Sequence, residues 1–160
     1  MVIQVERDLF ESGADIILHQ VNCHGVMGSG VAAQVRSRFP WVFAMYRDKC
    51  IEHKTMKFAL HRDSELLGQN QYVYIDESNM IGNLFAQDQF GRDGKRYTDY
   101  AALEKCLRQA DKDFRGKRIA VPHQIGCGRG GGDWAHVKNM LHEIFDNSSN
   151  TLMICKRSEG

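Results

Sequence analysis

Apolar runs and helix-like periodicities alternate along the chain. Several runs are rich in β-branched and aromatic residues and alternate with polar positions, which is typical of strands. They predict strands at residues 2–5 (VIQV), 15–21 (DIILHQV), 57–61 (KFALH), 71–76 (QYVYID), 80–87 (MIGNLFAQ), 118–123 (RIAVPH) and 151–156 (TLMICK).

Apolar residues spaced three and four apart predict helices between these strands. The spacing is clearest at Val137, Met140, Leu141 and Ile144. Pro40 ends the first helix, because proline cannot continue a helix interior. The predicted helices cover residues 30–39, 41–52 (with Trp41, Met45 and Ile51 as candidate core contacts), 98–113 (with Leu103, Leu107 and Ala110 on one face) and 134–145.

This alternation predicts an α/β fold, a three-layer α/β/α sandwich around a central mixed sheet. The chain has 160 residues, which suits one domain with a sizeable core. No repeat, low-complexity tract or linker interrupts the sequence. We therefore expect a single domain over residues 1–160.

Composition excludes several function classes. A formal net charge of +1 lacks the basic excess typical of generic nucleic-acid binding. No apolar run has the length of a membrane span, and the N-terminus does not resemble a signal peptide, so we expect a cytoplasmic chain without membrane contact. Five scattered cysteines, without a CxxC pair or a Cys/His ligand spacing, predict reduced thiols and no metal site.

Two glycine-rich stretches each follow an apolar strand and precede a helix: GVMGSG at 25–30 and IGCGRGGGD at 125–133. Helix N-termini offer unpaired N–H groups and a positive dipole end, and glycine lets the backbone approach an anion closely. The first stretch is neither a Walker A motif nor a dinucleotide fingerprint. Either stretch alone is also compatible with a tight turn. Together they predict two walls that hold a diphosphate.

Four segments carry a family resemblance: VERDLFESGADIILHQVN, CHGVMGSGVAAQVRSRFP, NLFAQDQFG…YTDYAAL and VPHQIGCGRGGGDW. They resemble a macrodomain, the fold that binds ADP-ribose. The chain is most similar to the branch with terminal ADP-ribose protein glycohydrolase, the DNA ADP-ribosyl glycohydrolases and the yeast ADP-ribose-1''-phosphate phosphatase. The resemblance implies ADP-ribose as ligand or substrate, partners that are ADP-ribosylated proteins or nucleic acids, a monomer, and no metal or other cofactor.

The resemblance also implies how the ligand is bound. Asp8 accepts a hydrogen bond from the adenine amino group, and Asn22 lies beside the distal ribose. The first glycine stretch holds one phosphate, and the second wraps the other phosphate and the distal ribose. Phe90 and Gly91 close over that ribose. The implied ligand-binding residues are Asp8, Asn22, Gly25, Val26, Met27, Gly28, Ser29, Gly30, Val31, Phe90, Gly91, Ile125, Gly126, Cys127, Gly128, Arg129 and Gly130.

Three residues are candidates for catalysis: His19, His24 and Asp88. His19 matches the histidine of the phosphatase branch and has a side chain that titrates near neutrality. It is equally compatible with a hydrogen-bonded core residue. The glycohydrolase branch uses a lysine, whose place here falls near Gln87 or Asp88, so a lysine mechanism would require Lys95 to fold back.

Other interpretations stay open from the sequence. Cys127 suits a nucleophile near a helix N-terminus or a small apolar residue. Adenine could stack on Phe10 or on Phe145. We expect Asp133 to cap the last helix. Two functions remain: a hydrolase acting at the distal ribose of an ADP-ribose derivative, and a module that binds ADP-ribose without turnover.

Overall fold

The structure is a computed structural model that describes residues 1–60 and 66–158. Six strands form one sheet in the order β1-β6-β5-β2-β4-β3, and every neighbouring pair is parallel except β3 with β4. The predicted mixed sheet is therefore confirmed. The strands are β1 (Val2–Glu6), β2 (Ile16–Asn22), β3 (Asn70–Tyr74), β4 (Met80–Gln87), β5 (Arg118–Pro122) and β6 (Thr151–Lys156).

Helices cover both faces of the sheet, which confirms the three-layer sandwich. They are α1 (Gly30–Arg38), α2 (Pro40–Leu60), α3 (Tyr100–Asp113) and α4 (Trp134–Phe145), and a short 3-10 turn covers Leu9–Glu11. No helix in the described part of the chain is both long and apolar enough to cross a membrane.

The alternation of side chains along β2 divides the core in two. Ile16 and Leu18 pack with residues of α3 and α4, whereas Ile17 and Val21 pack with residues of α1 and α2. Parallel strands that are covered on both faces are apolar at successive positions, as β2 is. A polar residue on such a strand therefore needs a specific partner.

Two expectations about α2 are wrong. Residues 57–60 continue this helix and form no strand, and residue 61 of the predicted strand lies outside the described residues. Trp41, Met45 and Ile51 are 46%, 49% and 54% exposed instead of buried.

The buried face of α2 is formed by Val42, Tyr46 and Cys50, which follow one another at intervals of four residues. Apolar residues occur on both faces of this helix, so periodicity alone could not identify the inner one. Pro40 is the first residue of α2, a position where its missing N–H costs nothing.

We expect Leu107→Ala to lower the free energy of unfolding by about 3 kcal/mol, because Leu107 is fully buried on the inner face of α3 and its truncation leaves a cavity. Ile51→Ala, on the exposed face of α2, is the control and should cost less than about 0.5 kcal/mol. Urea denaturation of both variants measures the difference. Equal losses would contradict this assignment of the core.

Candidate active site

A cleft follows the edge of the sheet where the parallel strands end. Its larger cavity, of about 480 Å³, lies over the ends of β2, β4 and β5, and its smaller one, of about 370 Å³, lies over the ends of β1 and β6. The two cavities share Gly30, Val31, Pro122 and His123, so they form one continuous groove. The carboxyl edge of a parallel sheet is where α/β proteins bind ligands.

The cleft is basic although the chain is almost neutral. Among the described residues, five Arg or Lys residues and one carboxylate line the two cavities: Arg7, Arg92, Arg129, Lys156 and Arg157, with Asp8. The formal net charge of the whole chain is only +1. Charge of one sign along a groove attracts ligands of the opposite sign. The cleft therefore suits an anionic ligand, which the overall charge did not indicate.

The N-terminus of α1 opens directly into the larger cavity. Ser29 is its N-cap but makes no capping hydrogen bond with its side chain, whereas Asp99 and Asp133 cap α3 and α4. Gly28, Ser29, Gly30, Val31 and Ala32 line the cavity around this uncapped end. Uncapped N–H groups together with the helix dipole form an anion site. The capping role predicted for Asp133 is confirmed.

Asn22 holds the loop that leads into α1. Its Oδ1 accepts hydrogen bonds from the backbone N–H groups of His24 (2.9 Å) and Val26 (3.4 Å), and its Nδ2 donates to the Val26 carbonyl (2.8 Å). The fully buried Tyr46 hydroxyl lies 2.8 Å from both the backbone oxygen and Oδ1 of Asn22. The Asn22 side chain lines the cavity, but its oxygen is already occupied in supporting the loop.

The second glycine-rich stretch, residues 125–133, is anchored to Thr98. The Thr98 hydroxyl donates to the Gly126 carbonyl (2.6 Å), and the Gly130 carbonyl accepts from the N–H groups of Tyr97 and Thr98. A Cβ at Gly130 would overlap the Thr98 hydroxyl, and one at Gly131 would lie 2.6 Å from the Lys95 carbonyl. Packing therefore requires glycine at both positions.

Gly28 and Gly128 are glycines for a different reason. Neither has a positive φ, a Cβ on Gly28 would meet only Val26 at 3.7 Å, and one on Gly128 would meet nothing within 4 Å. Both residues line the larger cavity. The fold does not require glycine at these positions, whereas a ligand in contact with the backbone would.

His19 lies beneath this cavity and is 1% exposed. Burial lowers its pKa from 6.5 to about 4, against the opposing effect of a hydrogen bond between its Nε2 and Asn83 Oδ1 (2.6 Å). Its Nδ1 is buried and has no hydrogen-bond partner among the described residues. His19 is thus neutral at pH 7, and both interpretations of the sequence apply to it, since it is a hydrogen-bonded core residue that also lines the cavity.

Asn83 continues a row of polar side chains on the same face of the sheet. Its Nδ2 donates to Gln71 Oε1 (3.0 Å), and Gln71 Nε2 donates to the Met45 carbonyl in α2 (3.2 Å). Both residues were missed by the sequence analysis. For Asn83, a polar residue in the middle of an apolar strand was the available signal, whereas Gln71 near the start of β3 offered none.

Gln20 forms a second polar cluster on the opposite face of β2. Its Nε2 donates to Gln87 Oε1 and to the Thr98 hydroxyl, each at 2.8 Å, and Gln87 Nε2 donates to the Gln89 carbonyl. Its Oε1 is buried and has no partner in the described part of the chain. Successive residues of β2 therefore each present an unpaired acceptor close to the cavity.

His24 and Asp88 are brought together, with 3.3 Å between His24 Nε2 and Asp88 Oδ1. The His24 ring also lies edge-on to Phe90, which lines the larger cavity. Among the described residues, neither His24 nor Asp88 lines either cavity. The pair therefore stands behind Phe90 at the rim.

The structure places no lysine in the larger cavity within its described residues. The Lys95 side chain is 76% exposed, and its Nζ lies 3.7 Å from Asp93 Oδ2. Lys95 thus does not fold back toward the cleft.

Burial raises the pKa of Cys127 to about 11, with a further contribution from Asp133, so its thiol stays protonated at neutral pH. The raised pKa favours the small apolar interpretation of Cys127 over the nucleophile.

Most of the predicted ligand-binding residues line the cleft. The larger cavity contains Asn22, Val26, Gly28, Ser29, Gly30, Val31, Phe90, Gly91, Gly126, Gly128, Arg129 and Gly130, and Asp8 lines the smaller one. The exceptions in the described chain are Gly25, Met27, Ile125 and Cys127. Met27 and Ile125 are buried in the two cores, so only their backbone could reach a ligand.

Several lining residues were not predicted. Gln34, Lys156 and Arg157 line the smaller cavity, and Gln87 lines the larger one together with Gln124, for which the sequence left open a contact with the distal ribose or a role in ending the strand. Gln124 has a φ of 63°, a conformation that non-glycine residues seldom adopt and that clusters at functional sites. Nothing in the local sequence predicts that backbone conformation.

The smaller cavity distinguishes between the two phenylalanines. Phe10 lines it and carries the Arg38 guanidinium 4.5 Å from its ring centroid, whereas Phe145 is fully buried in the core. Asp8 is beside Phe10, and its Oδ1 accepts from the Phe10 N–H (2.8 Å). Only Phe10 of these two rings can contact a ligand. The described residues contain no group of three or more His, Cys, Asp or Glu side chains that could hold a metal ion.

Comparison with known proteins gives a consistent picture. A family model described as Macro domain matches residues 18–141. A DNA ADP-ribosyl transferase–DNA ADP-ribosyl glycohydrolase fusion protein of Thermosipho africanus is 30% identical, over 86% of this chain and 37% of its own. An ADP-ribose 1''-phosphate phosphatase of Candida albicans is 29% identical, over 92% of this chain and 95% of its own.

The chain spans about two-fifths of the length of the DNA ADP-ribosyl glycohydrolases that it matches. Among solved structures, the macrodomain of Mycobacterium tuberculosis DarG superposes with a TM-score of 0.78 at 23% identity, covering 99% of both chains. At this identity the superposition establishes the fold, and the expected macrodomain architecture is confirmed.

We expect the stability of the wild-type chain to fall by about 3 kcal/mol more than that of His19→Gln between pH 7 and pH 4. In the unfolded chain His19 takes up a proton near pH 6.5, whereas in the folded chain it does so only near pH 4. The free energy of unfolding therefore decreases as the pH falls through this window. Urea denaturation at each pH measures the difference. His142→Gln, at a half-exposed histidine, is the control. If the free energy of unfolding depended on pH identically in wild type and His19→Gln, His19 would not be buried in its neutral form.

Proposed function

Because the chain belongs to the Macro domain family, we propose that it binds ADP-ribose along the cleft and hydrolyses a bond at the distal ribose of an ADP-ribose derivative. The bond is either a phosphate ester at the 1'' position or an ADP-ribosyl link to a protein or nucleic acid. The observation that carries this proposal is the uncapped N-terminus of α1, which lines the same cavity as two glycines, Gly28 and Gly128, that the fold itself does not require.

The adenosine half of the ligand fits the smaller cavity. The Arg38 guanidinium covers one side of the Phe10 ring, and we assign the adenine to the other side. One oxygen of Asp8 accepts the Phe10 N–H, and we assign the adenine amino group to the other oxygen. The shared residues Gly30, Val31, Pro122 and His123 then lie where the diphosphate passes from one cavity to the other.

The diphosphate and the distal ribose fit the larger cavity. The α1 N-terminus and the backbone of Gly128 offer donors to the two phosphates, and Arg129 adds positive charge. The distal ribose then lies over His19 and Gln20 and under Phe90. The two buried, unpaired acceptors of His19 and Gln20 suit a ligand or water that supplies hydroxyl donors.

Hydrolysis requires a positioned water and groups that handle its proton. The water oxygen forms a bond to the phosphorus or to the anomeric carbon, the bond to the leaving oxygen or acceptor atom breaks, and the leaving group takes up a proton. Neutral His19 orients the water or a ribose hydroxyl as an acceptor. Asp88 and His24 lie 3.3 Å apart beside Phe90 and line neither cavity in the described chain, so we assign them as an acid/base pair that exchanges protons with the site through water at the rim.

The names of the relatives support this reaction class. The Candida albicans protein that aligns over nearly its whole length is an ADP-ribose 1''-phosphate phosphatase, and the Thermosipho africanus protein contains a DNA ADP-ribosyl glycohydrolase. The absence of lysine from the larger cavity, within the described residues, favours phosphate-ester hydrolysis over a lysine adduct. It also keeps a second function open, a module that binds ADP-ribose without turnover.

Calorimetric titration of ADP-ribose, followed by a time course, tests the proposal. The substrates are ADP-ribose-1''-phosphate, a glutamate-linked ADP-ribosylated protein and an ADP-ribosylated DNA oligonucleotide. We expect binding, and turnover of at least one substrate that falls by about a hundredfold or more in His19→Ala and is unchanged in His142→Ala. No binding would overturn the ADP-ribose site, and binding without turnover would establish the second function.

We expect Gly28→Ala and Gly128→Ala to weaken ADP-ribose binding by about tenfold or more while leaving the melting temperature within a few degrees of wild type. An added methyl group has room in the fold but occupies space at the phosphates. Gly130→Ala is the contrasting variant and should lower both the affinity for ADP-ribose and the melting temperature, since its Cβ overlaps Thr98. Unchanged affinity in the first two variants would place the diphosphate elsewhere.

A further inference from the structure

Three polar side chains form a row across neighbouring strands beneath α2. His19 of β2 is in register with Asn83 of β4, which is in register with Gln71 of β3. The distances along the row are 2.6 Å from His19 Nε2 to Asn83 Oδ1, 3.0 Å from Asn83 Nδ2 to Gln71 Oε1 and 3.2 Å from Gln71 Nε2 to the Met45 carbonyl. The row thus connects the cavity to a helix at the sheet edge.

The chemistry at one end fixes the direction of every hydrogen bond in the row. The Met45 carbonyl can only accept, so Gln71 must direct its amide nitrogen at it and its amide oxygen at Asn83. Asn83 must then direct its nitrogen at Gln71 and its oxygen at His19. His19 can approach that oxygen only with a protonated Nε2.

We infer that Asn83 and Gln71 are positioning residues that hold His19 as its Nε2–H tautomer, so that its Nδ1 acts toward the ligand only as a hydrogen-bond acceptor. The relevance of this state to turnover rests on the proposed function, whereas the tautomer itself does not. Nδ1 is the atom of the ring that has no partner among the described residues. Its partner in the complex is therefore a donor, either a water or a hydroxyl of the distal ribose.

The same helix also determines the position of the first glycine loop. The Met45 carbonyl accepts the last hydrogen bond of the row that begins at His19. The hydroxyl of the next residue, Tyr46, donates to Asn22, which holds the loop before α1. Helix α2 itself lines neither cavity within the described chain. Two consecutive residues of α2, which lie outside the cleft, thus orient His19 and the first glycine-rich stretch.

Nitrogen-15 NMR of the ligand-free, histidine-labelled chain at pH 7 tests the inference. We expect Nε2 of His19 to resonate as a protonated nitrogen and Nδ1 as a bare one, with the assignment made from His19→Gln. The opposite tautomer, an average of the two, or a doubly protonated ring would overturn the inference. This measurement needs no ligand, so it is decided separately from whether the chain binds or hydrolyses ADP-ribose.

Substitution of Gln71 tests whether the row causes the tautomer. In Gln71→Lys the ammonium donates to Asn83 as well as to the Met45 carbonyl, so the Asn83 amide turns over and the His19 signal changes to the Nδ1–H form. Gln71→Glu is the matched control, because its carboxylate still accepts from Asn83 and the wild-type tautomer remains. Lysine is well tolerated on an edge strand such as β3. Should Gln71→Lys not fold, Gln71→Arg provides the same donor.

An inverted tautomer in the Lys variant alone supports the inference. No change in either variant overturns it, since the tautomer would then not depend on Gln71. The same change in both variants also overturns it, since the signal would then follow only the loss of the Gln71 side chain. For a substrate that the wild type turns over, we expect kcat of Gln71→Lys to fall by about tenfold or more at similar KM. The Glu variant should retain kcat within about twofold, which a merely structural role of Gln71 would not produce.

Discussion

Polar side chains at the end of a buried parallel strand need hydrogen-bond partners, and this need organises the site. His19, Gln20 and Asn22 stand on β2 between two apolar layers. His19 bonds to β4, Gln20 bonds to β4 and to the segment before α3, and Asn22 bonds to α2 and to its own loop. Because an unpaired buried polar group is costly, these bonds fix the strand end, both loops and α2 relative to one another.

The glycines of the cleft divide by physical cause. Gly130 and Gly131 are required by the packing of the second loop against Thr98 and Lys95, so they belong to the fold. Gly28 and Gly128 have ordinary backbone angles and free space around them, so their reason lies in what approaches the backbone. A single glycine-rich pattern in the sequence thus combines structural positions with ligand-facing ones, and only contacts separate the two.

Much of the fold could be predicted from local patterns. The bounds of β4, α4 and β6 agree with the expectation, because the two strands are short, mostly apolar runs with polar neighbours and the helix has a three-and-four spacing. The pattern failed on α2, where apolar residues occupy both faces and where a β-like run at residues 57–60 continues a long helix. There the sheet decides which face is buried, and no sequence window contains that information.

The sequence by itself determined the alternation of strands and helices, the two glycine loops at the carboxyl edge, and the polar residues of β2, because these depend on composition and short-range spacing. The tertiary structure alone decided what those residues do. It placed Asn83 and Gln71 in register with His19 across two other strands, directed Asn22 into the loop instead of leaving it free, and kept Lys95 outside the cavity. Such relations join residues far apart in the chain, so they exist only once strand order and register are set.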